Sequence, residues 1–162
     1  MHKILIGVMG PGEPANATDL QAAYTLGQLI AQQGWVLVTG GRQVGVMDAA
    51  SRGAQQAGGL TVGILPTADL SGISAAIDIP ILTDMGNARN NINVLSSHVV
   101  LACGMGAGTA SEIALALKAH KPVILLNADH QSQIFFKQLS QGSVLVASTP
   151  EAAIRVIQTR LD

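Results

Sequence analysis

Aromatic side chains are almost missing from this 162-residue chain, which has one Trp, one Tyr and two Phe. Charge is scarce too: Asp, Glu, Lys and Arg make up 12% of the residues, and the formal net charge is −1. With no basic run and no aromatics interleaved among cations, a nucleic-acid partner is not expected. The single Cys103 cannot form an internal disulfide and suits a reducing compartment, so a cytoplasmic location is expected. No stretch approaches the roughly 18 consecutive apolar residues of a membrane span, so no membrane partner is expected. The opening MHKILIGVMG reads as a first buried strand, because glycine and proline follow its short apolar run at once.

What the chain has instead is small apolar residues, 48% hydrophobic in all, together with 18 glycines. That is the composition of a compact α/β protein. Strands are expected at 3–9, 35–40, 60–66, 98–103, 121–127 and 143–148, with a weaker one at 76–82. Their unbroken Val, Ile and Leu character suits strands buried on both faces of a parallel sheet. Helices are expected at about 18–33, 45–57, 86–97, 109–120, 130–140 and 150–161. Thr18, Thr109, Ser132 and Thr149 (followed by Pro150) offer N-caps, and Gly34, Gly58 and Gly142 sit where C′ glycines belong. The alternation predicts one α/β domain over 1–162, a Rossmann-like doubly wound, mostly parallel sheet flanked by helices.

In such a sheet the ligand crevice lies beyond the carboxyl ends of the strands. Three glycine-bearing loops fall there: GVMGPGEPAN (7–16), with Gly10 and Gly12; TGGRQVGVMDAA (39–50); and GMGAGTASE (104–112). Glycine lets backbone amides approach an anion closely, and the helix that follows adds free N–H groups and a positive dipole end. The loops carry neither the full G-x-G-x-x-G fingerprint nor a Walker A ending, which disfavours NAD and ATP. His2, His98, His120 and His130 have no metal-ligand spacing, so no metal site built from side chains is expected.

Two kinds of charged residue draw the eye near these loops. Thr109-Ala110-Ser111-Glu112 has the T-x-x-E form of a capping box, in which Glu112 reaches back to the Thr109 N–H. The same Glu112 would border an anion pocket. In TDMGNARNNIN (83–93), Arg89 stands among Asp84, Asn90, Asn91 and Asn93; it reads either as a solvated helix-face cation or as a fork donor to an oxyanion. Arg42, inside the second glycine loop, is a further candidate for the same task.

Taken together, GGRQVGVMD (40–48) and GMGAGTASE (104–112) resemble the paired signatures GGGxxGLMG and PGGxGTxxE of the LOG-type Rossmann superfamily, long labelled putative lysine decarboxylases. Gly104 and Met105 stand where that signature has Pro and Gly, Asp48 replaces a final Gly, and Arg89-Asn90 replaces an Arg-Lys pair. The stretches at 44–66 and 86–126 are more similar to a shorter subgroup, the molybdenum cofactor carrier proteins. That resemblance implies a non-catalytic protein that binds, protects and transfers molybdenum cofactor. It also implies molybdoenzymes or cofactor-biosynthesis proteins as donor and acceptor, and a homodimer or homotetramer. Carried over by position, Gly40, Gly41, Arg42, Gly45, Met47, Gly104, Met105, Gly106, Ala107, Gly108 and Thr109 would surround the ligand with Gly10, Gly12, Arg89, Asn90 and Glu112. The alternative it implies is a nucleoside 5′-monophosphate phosphoribohydrolase in which Arg89 and Glu112 are catalytic. A binding module for another phosphorylated small molecule stays open as well.

Overall fold

The computed structural model describes residues 2–161. The chain runs β1 (Leu5–Met9), α1 (Ala17–Gln32), β2 (Val36–Thr39), α2 (Gly45–Gln56), β3 (Thr61–Leu65) and β4 (Ile79–Leu82). A single 3₁₀ turn, Gly86–Arg89, leads into α3 (Asn90–Ser96), β5 (Val99–Cys103), α4 (Ala107–Lys118), β6 (Val123–Leu126), α5 (His130–Leu139), β7 (Leu145–Ala147) and α6 (Pro150–Leu161). The strands form one sheet in the order β4-β3-β2-β1-β5-β6-β7. Every strand pair is parallel, so the expected mostly parallel Rossmann-like sheet is parallel throughout the described residues.

Period-two burial explains the layering. In β5, Val99, Leu101 and Cys103 pack with α1, α2 and α6, while Val100 and Ala102 pack with α3, α4 and α5. All five are buried at 1% exposure or less, as a central parallel strand requires. β4 is different. Its four residues are exposed, and it occupies the sheet edge, where Pro80 costs no ladder hydrogen bond. The weaker strand expected at 76–82 starts only at Ile79, because Asp78 and Ala76 are tied to Thr61: Asp78 Oδ2 accepts from the Thr61 N–H at 2.9 Å, and Ala76 O accepts from its hydroxyl at 2.7 Å.

The helix starts correct three expectations. α1 is capped by Asn16 and not Thr18, since Asn16 Oδ1 accepts from the Asp19 N–H at 2.9 Å and Asp19 reaches back to the Asn16 N–H. α5 is capped by Asp129 and not Ser132, whose N–H donates to Asp129 Oδ1 at 3.0 Å. The N-cap of α4 is Gly106, three residues before Thr109, with no side-chain cap. Thr149 does cap α6, accepting from the Ala152 N–H at 3.1 Å. The helix expected at 86–97 splits because Asp84 and Gly86 hold left-handed φ angles of 53°, so its first turn closes with the tighter 3₁₀ pattern. At the far ends, Gly34 and Gly58 follow their C-cap residues with φ of 71° and 73°. Gly142, at φ 85°, lies one position beyond the C′ residue of α5, Gln141. No helix among the described residues is long and apolar enough to cross a membrane.

Candidate functional site

β1 and β5 are neighbours whose following helices, α1 and α4, leave on opposite faces, and this is the topological switch point of the sheet. Beyond the carboxyl ends of these strands lies a cavity of about 240 Å³. Its floor and walls come from the loop after β1, the loop after β2, the 3₁₀ turn and the N-terminus of α4. The three glycine loops therefore meet in one cavity.

The loop after β5 supplies backbone. Gly106, Ala107, Gly108 and Thr109 line the cavity as the N-cap and first turn of α4, and Ala110 N donates to Gly106 O at 2.8 Å as the first intrahelical bond. The amides of Ala107, Gly108 and Thr109 precede that bond, and no side chain caps them, so they are free for an anion. Thr109 Oγ1 is buried, with no hydrogen-bond partner.

The expected capping box does not form. Glu112 lies six residues after Gly106, in the second turn of α4, and its carboxylate makes no hydrogen bond to its own helix terminus. Glu112 Oε1 accepts from Asn93 Nδ2 of α3 at 2.9 Å, and the residue is 7% exposed at the cavity wall. Burial pushes its carboxyl up to about 7, against the opposing influence of the Asn93 hydrogen bond and the Arg89 charge.

Arg89 is no solvated helix-face cation. It is 8% exposed, and its Nη1 donates to Ile64 O at 2.8 Å, which pins the guanidinium under the carboxyl end of β3. Its Nε is buried without a partner. Gly40 makes room for it, since a Cβ at Gly40 would collide with both terminal guanidinium nitrogens, Nη1 and Nη2. Burial is the largest influence on Arg89 and pulls its pKa down; Glu112 opposes this and Arg42 adds to it. Arginine's ordinary value is so high that it keeps its charge. Arg42 is exposed at the rim, its backbone fixed by a bridge to Ile73. Asn90 lines the cavity and donates to Ser111 Oγ at 3.0 Å.

Of the residues expected around a ligand, Gly10, Gly12, Gly40, Arg42, Met47, Arg89, Asn90, Gly106, Ala107, Gly108, Thr109 and Glu112 line this cavity. Gly41, Gly45, Gly104 and Met105 do not. The three glycines have positive φ and serve the chain: a Cβ would meet the Gly63 backbone, the Pro11 and Gly12 carbonyls, and the Asp19 carboxylate, respectively. Met105 packs into the core on the α3–α4–α5 face. The lining residues that sequence reasoning missed are Val8, Met9, Pro11, Pro14 and Asn87. Pro11 and Pro14 stand inside the first glycine loop and Asn87 two residues before Arg89, so closeness to the motifs was the available signal.

Comparison with known proteins fits this geometry. The SLOG cluster4 family model matches residues 3–154, and the chain belongs to that family. The fold superimposes with a TM-score of 0.99 on the molybdenum cofactor binding protein from the phototrophic bacterium Rippkaea orientalis, at 61% identity over 100% of this chain and 99% of that one. It superimposes with a TM-score of 0.94 on the molybdenum cofactor carrier protein from Chlamydomonas reinhardtii, at 51% identity over 99% of each chain. A cytokinin riboside 5′-monophosphate phosphoribohydrolase from Mycobacterium tuberculosis is 32% identical over 132 residues, 75% of this chain and 70% of the relative.

Proposed function

We propose that this SLOG cluster4 protein binds molybdenum cofactor in the cavity at the β1–β5 switch point, shields it and passes it on without acting on it chemically. The observation that carries this reading is an uncapped α4 N-terminus facing the same cavity as two buried polar atoms without partners, Thr109 Oγ1 and Arg89 Nε. Buried polar groups are left unpaired at a cost, so a site built this way fits a ligand that supplies oxygen acceptors and a hydroxyl partner. Near-full-length likeness to two molybdenum cofactor binding or carrier proteins supports the identity of that ligand.

The cargo is a pterin dithiolene with a phosphate at one end and an anionic oxo-molybdenum group at the other. In this reading the amides of Ala107, Gly108 and Thr109 hold one anionic end, Arg89 gives a pinned fork, and Arg42 meets the ligand at the rim. Gly10, Gly12 and Gly40 let the ligand come close to backbone, and Met47 and Asn90 complete the wall. A cavity of about 240 Å³ lies just below the usual range for small-molecule sites, about 300–1,000 Å³, which suits holding one end of a ligand that must leave again. Neutral amide donors in place of a lysine cluster also suit an affinity low enough for transfer. The donors and acceptors are molybdoenzymes or cofactor-biosynthesis proteins, the setting is the cytoplasm, and the protein assembles as a homodimer or homotetramer.

Titration of the purified protein with free molybdenum cofactor, with bound cofactor counted after the unbound fraction is removed, tests the reading. Saturation near one cofactor per chain and slower decay than in buffer are expected; no saturable binding would overturn it. A second reading, phosphoribohydrolase action on a nucleoside 5′-monophosphate, is favoured by Arg89 and Glu112 sharing one cavity. It asks Glu112 to stabilise positive charge on the sugar as an anion, which suits poorly a carboxyl pushed up to about 7. Base release that disappears in Glu112→Gln would establish the enzyme instead.

A further inference from the structure

The cavity sets a carboxyl group beside donors arranged for an anion. Glu112 is 7% exposed, and its partner is the amide of Asn93, itself fully buried. No cation lies within ion-pair distance of it: the one ion pair among the described residues joins Arg52 and Asp48. An ionised Glu112 would oppose any anionic ligand held at the start of its own helix, across a partly enclosed cavity where charges are screened less than in bulk water.

The titratable groups around it are few. Arg42 and Arg89 are the other ionisable residues lining the cavity, and both are permanently cationic. α3 and β6 bring none, and the β5 thiol, Cys103, is buried and pushed up to about 12, so it stays neutral. On α4 itself the other ionisable group is Lys118, at the opposite end of the helix. Glu112 is therefore the one group at this site able to change charge near neutrality.

We propose that an anionic ligand enters this cavity together with one proton, which resides on Glu112, and that loss of this proton drives release. The inference rests on the carrier reading for the identity of the ligand. In its neutral form Glu112 adds no repulsion and can donate a hydrogen bond to a ligand oxygen. In its ionised form it competes with the ligand for the field of Arg89. Asn93 is a positioning residue: its Nδ2 holds Glu112 Oε1 at the wall and favours the ionised form, which sets the pH at which the ligand is let go.

Because the bound anion favours the neutral acid, affinity is full below the carboxyl's own pKa, about 7 in the free protein, and falls above it. Binding of molybdenum cofactor to wild type is expected to weaken about tenfold between about pH 6 and about pH 8. Calorimetry in two buffers of different ionisation enthalpy should count between half a proton and one proton taken up per cofactor at pH 7.5. Glu112→Gln carries a permanently neutral amide, so both signatures should fall to the part that the cofactor's own phosphate contributes. Asn93→Leu removes the donor that favours ionisation, so the fall in affinity should move to higher pH. The phosphate of the cofactor titrates near pH 6, alike with each variant, and cancels in the comparison.

A fall in affinity with pH that is no steeper in wild type than in Glu112→Gln would overturn the coupling while leaving the carrier reading intact. An unmoved transition in Asn93→Leu would overturn the positioning role. Absence of saturable binding at every pH, in Glu112→Gln as in wild type, would overturn the carrier reading and the coupling with it.

Discussion

Two helices start at the switch point of the sheet, and each has a buried acidic residue near its beginning. In α1, Asp19 is 4% exposed and forms a capping box with Asn16. In α4, Glu112 is 7% exposed and bonds to no part of its own terminus; it turns to Asn93 of α3. One acid closes a helix end, and the other leaves a helix end open and waits in the cavity it faces. The same residue class thus does opposite things because α4 begins three residues earlier than a cap-seeking sequence rule places it. A helix end that must hold a ligand cannot also be satisfied by its own side chains.

The largest expected effect is the pH dependence that Glu112 brings to stability. A carboxyl raised from about 4.5 to about 7 by burial binds more protons in the folded protein than in the unfolded chain. Its contribution is fully present below about pH 4.5 and is lost as pH rises towards about 7, by roughly 3 kcal/mol in total. Glu112→Gln should remove that loss, so urea unfolding at pH 8 should find the variant more stable than wild type. A wild type as stable at pH 8 as at pH 5, after correction with the variant, would put Glu112 in water and dissolve the contrast with Asp19.

Next in size is the cation that only the open helix end shares. Arg89→Met should weaken cofactor binding about tenfold to a hundredfold, the loss of a charge-assisted donor worth about 1.5–3 kcal/mol. Gly40→Ala should weaken it in the same direction, because the new Cβ evicts the guanidinium. Equilibrium binding of both variants checks this; undiminished affinity in either would remove Arg89 from the ligand's surroundings.

The two smallest effects probe the helix ends directly. Asn16→Ala should lower unfolding free energy by about 1 kcal/mol and leave cofactor affinity unaltered, as expected of a pure cap. Thr109→Val should do the reverse, changing stability by less than about 0.5 kcal/mol, since its hydroxyl has no partner to lose, while weakening binding a few-fold. A stability loss of cap size in Thr109→Val would restore the capping box that the T-x-x-E pattern suggests.

Much of the fold could be read from local pattern. All seven strand segments lie within the apolar runs; for the five inner strands the reason is burial on both faces, while the edge strands β4 and β7 are apolar though partly exposed. The C′ glycines Gly34 and Gly58 were legible for an equally local reason, since glycine takes the left-handed φ there without strain, but Gln141 holds the C′ place of α5 that Gly142 was expected to fill. N-caps were less so. Asn16, Asp129 and Gly106 took the places given to Thr18, Ser132 and Thr109, since several polar residues near a helix start can each cap it and packing chooses among them. At the cavity, the glycine loops and Arg89 stand out in the sequence, but their division of labour does not. Gly40 accommodates an arginine 49 residues away in the chain, and Gly104 sits against Asp19, which no spacing rule relates to it.

The sequence by itself determined the parallel α/β architecture and the three loops at one sheet edge, because alternation of apolar runs and glycine turns acts over a few residues. It also held enough motif to point to the family to which the chain belongs. Only the tertiary structure decided that Arg89 is buried against Ile64 O, that Asn93 takes Glu112 from its own helix end, and that Thr109 is left without a partner. Each of these depends on contacts between segments about 19 or more residues apart or on the exclusion of water, and both exist only once the core has closed.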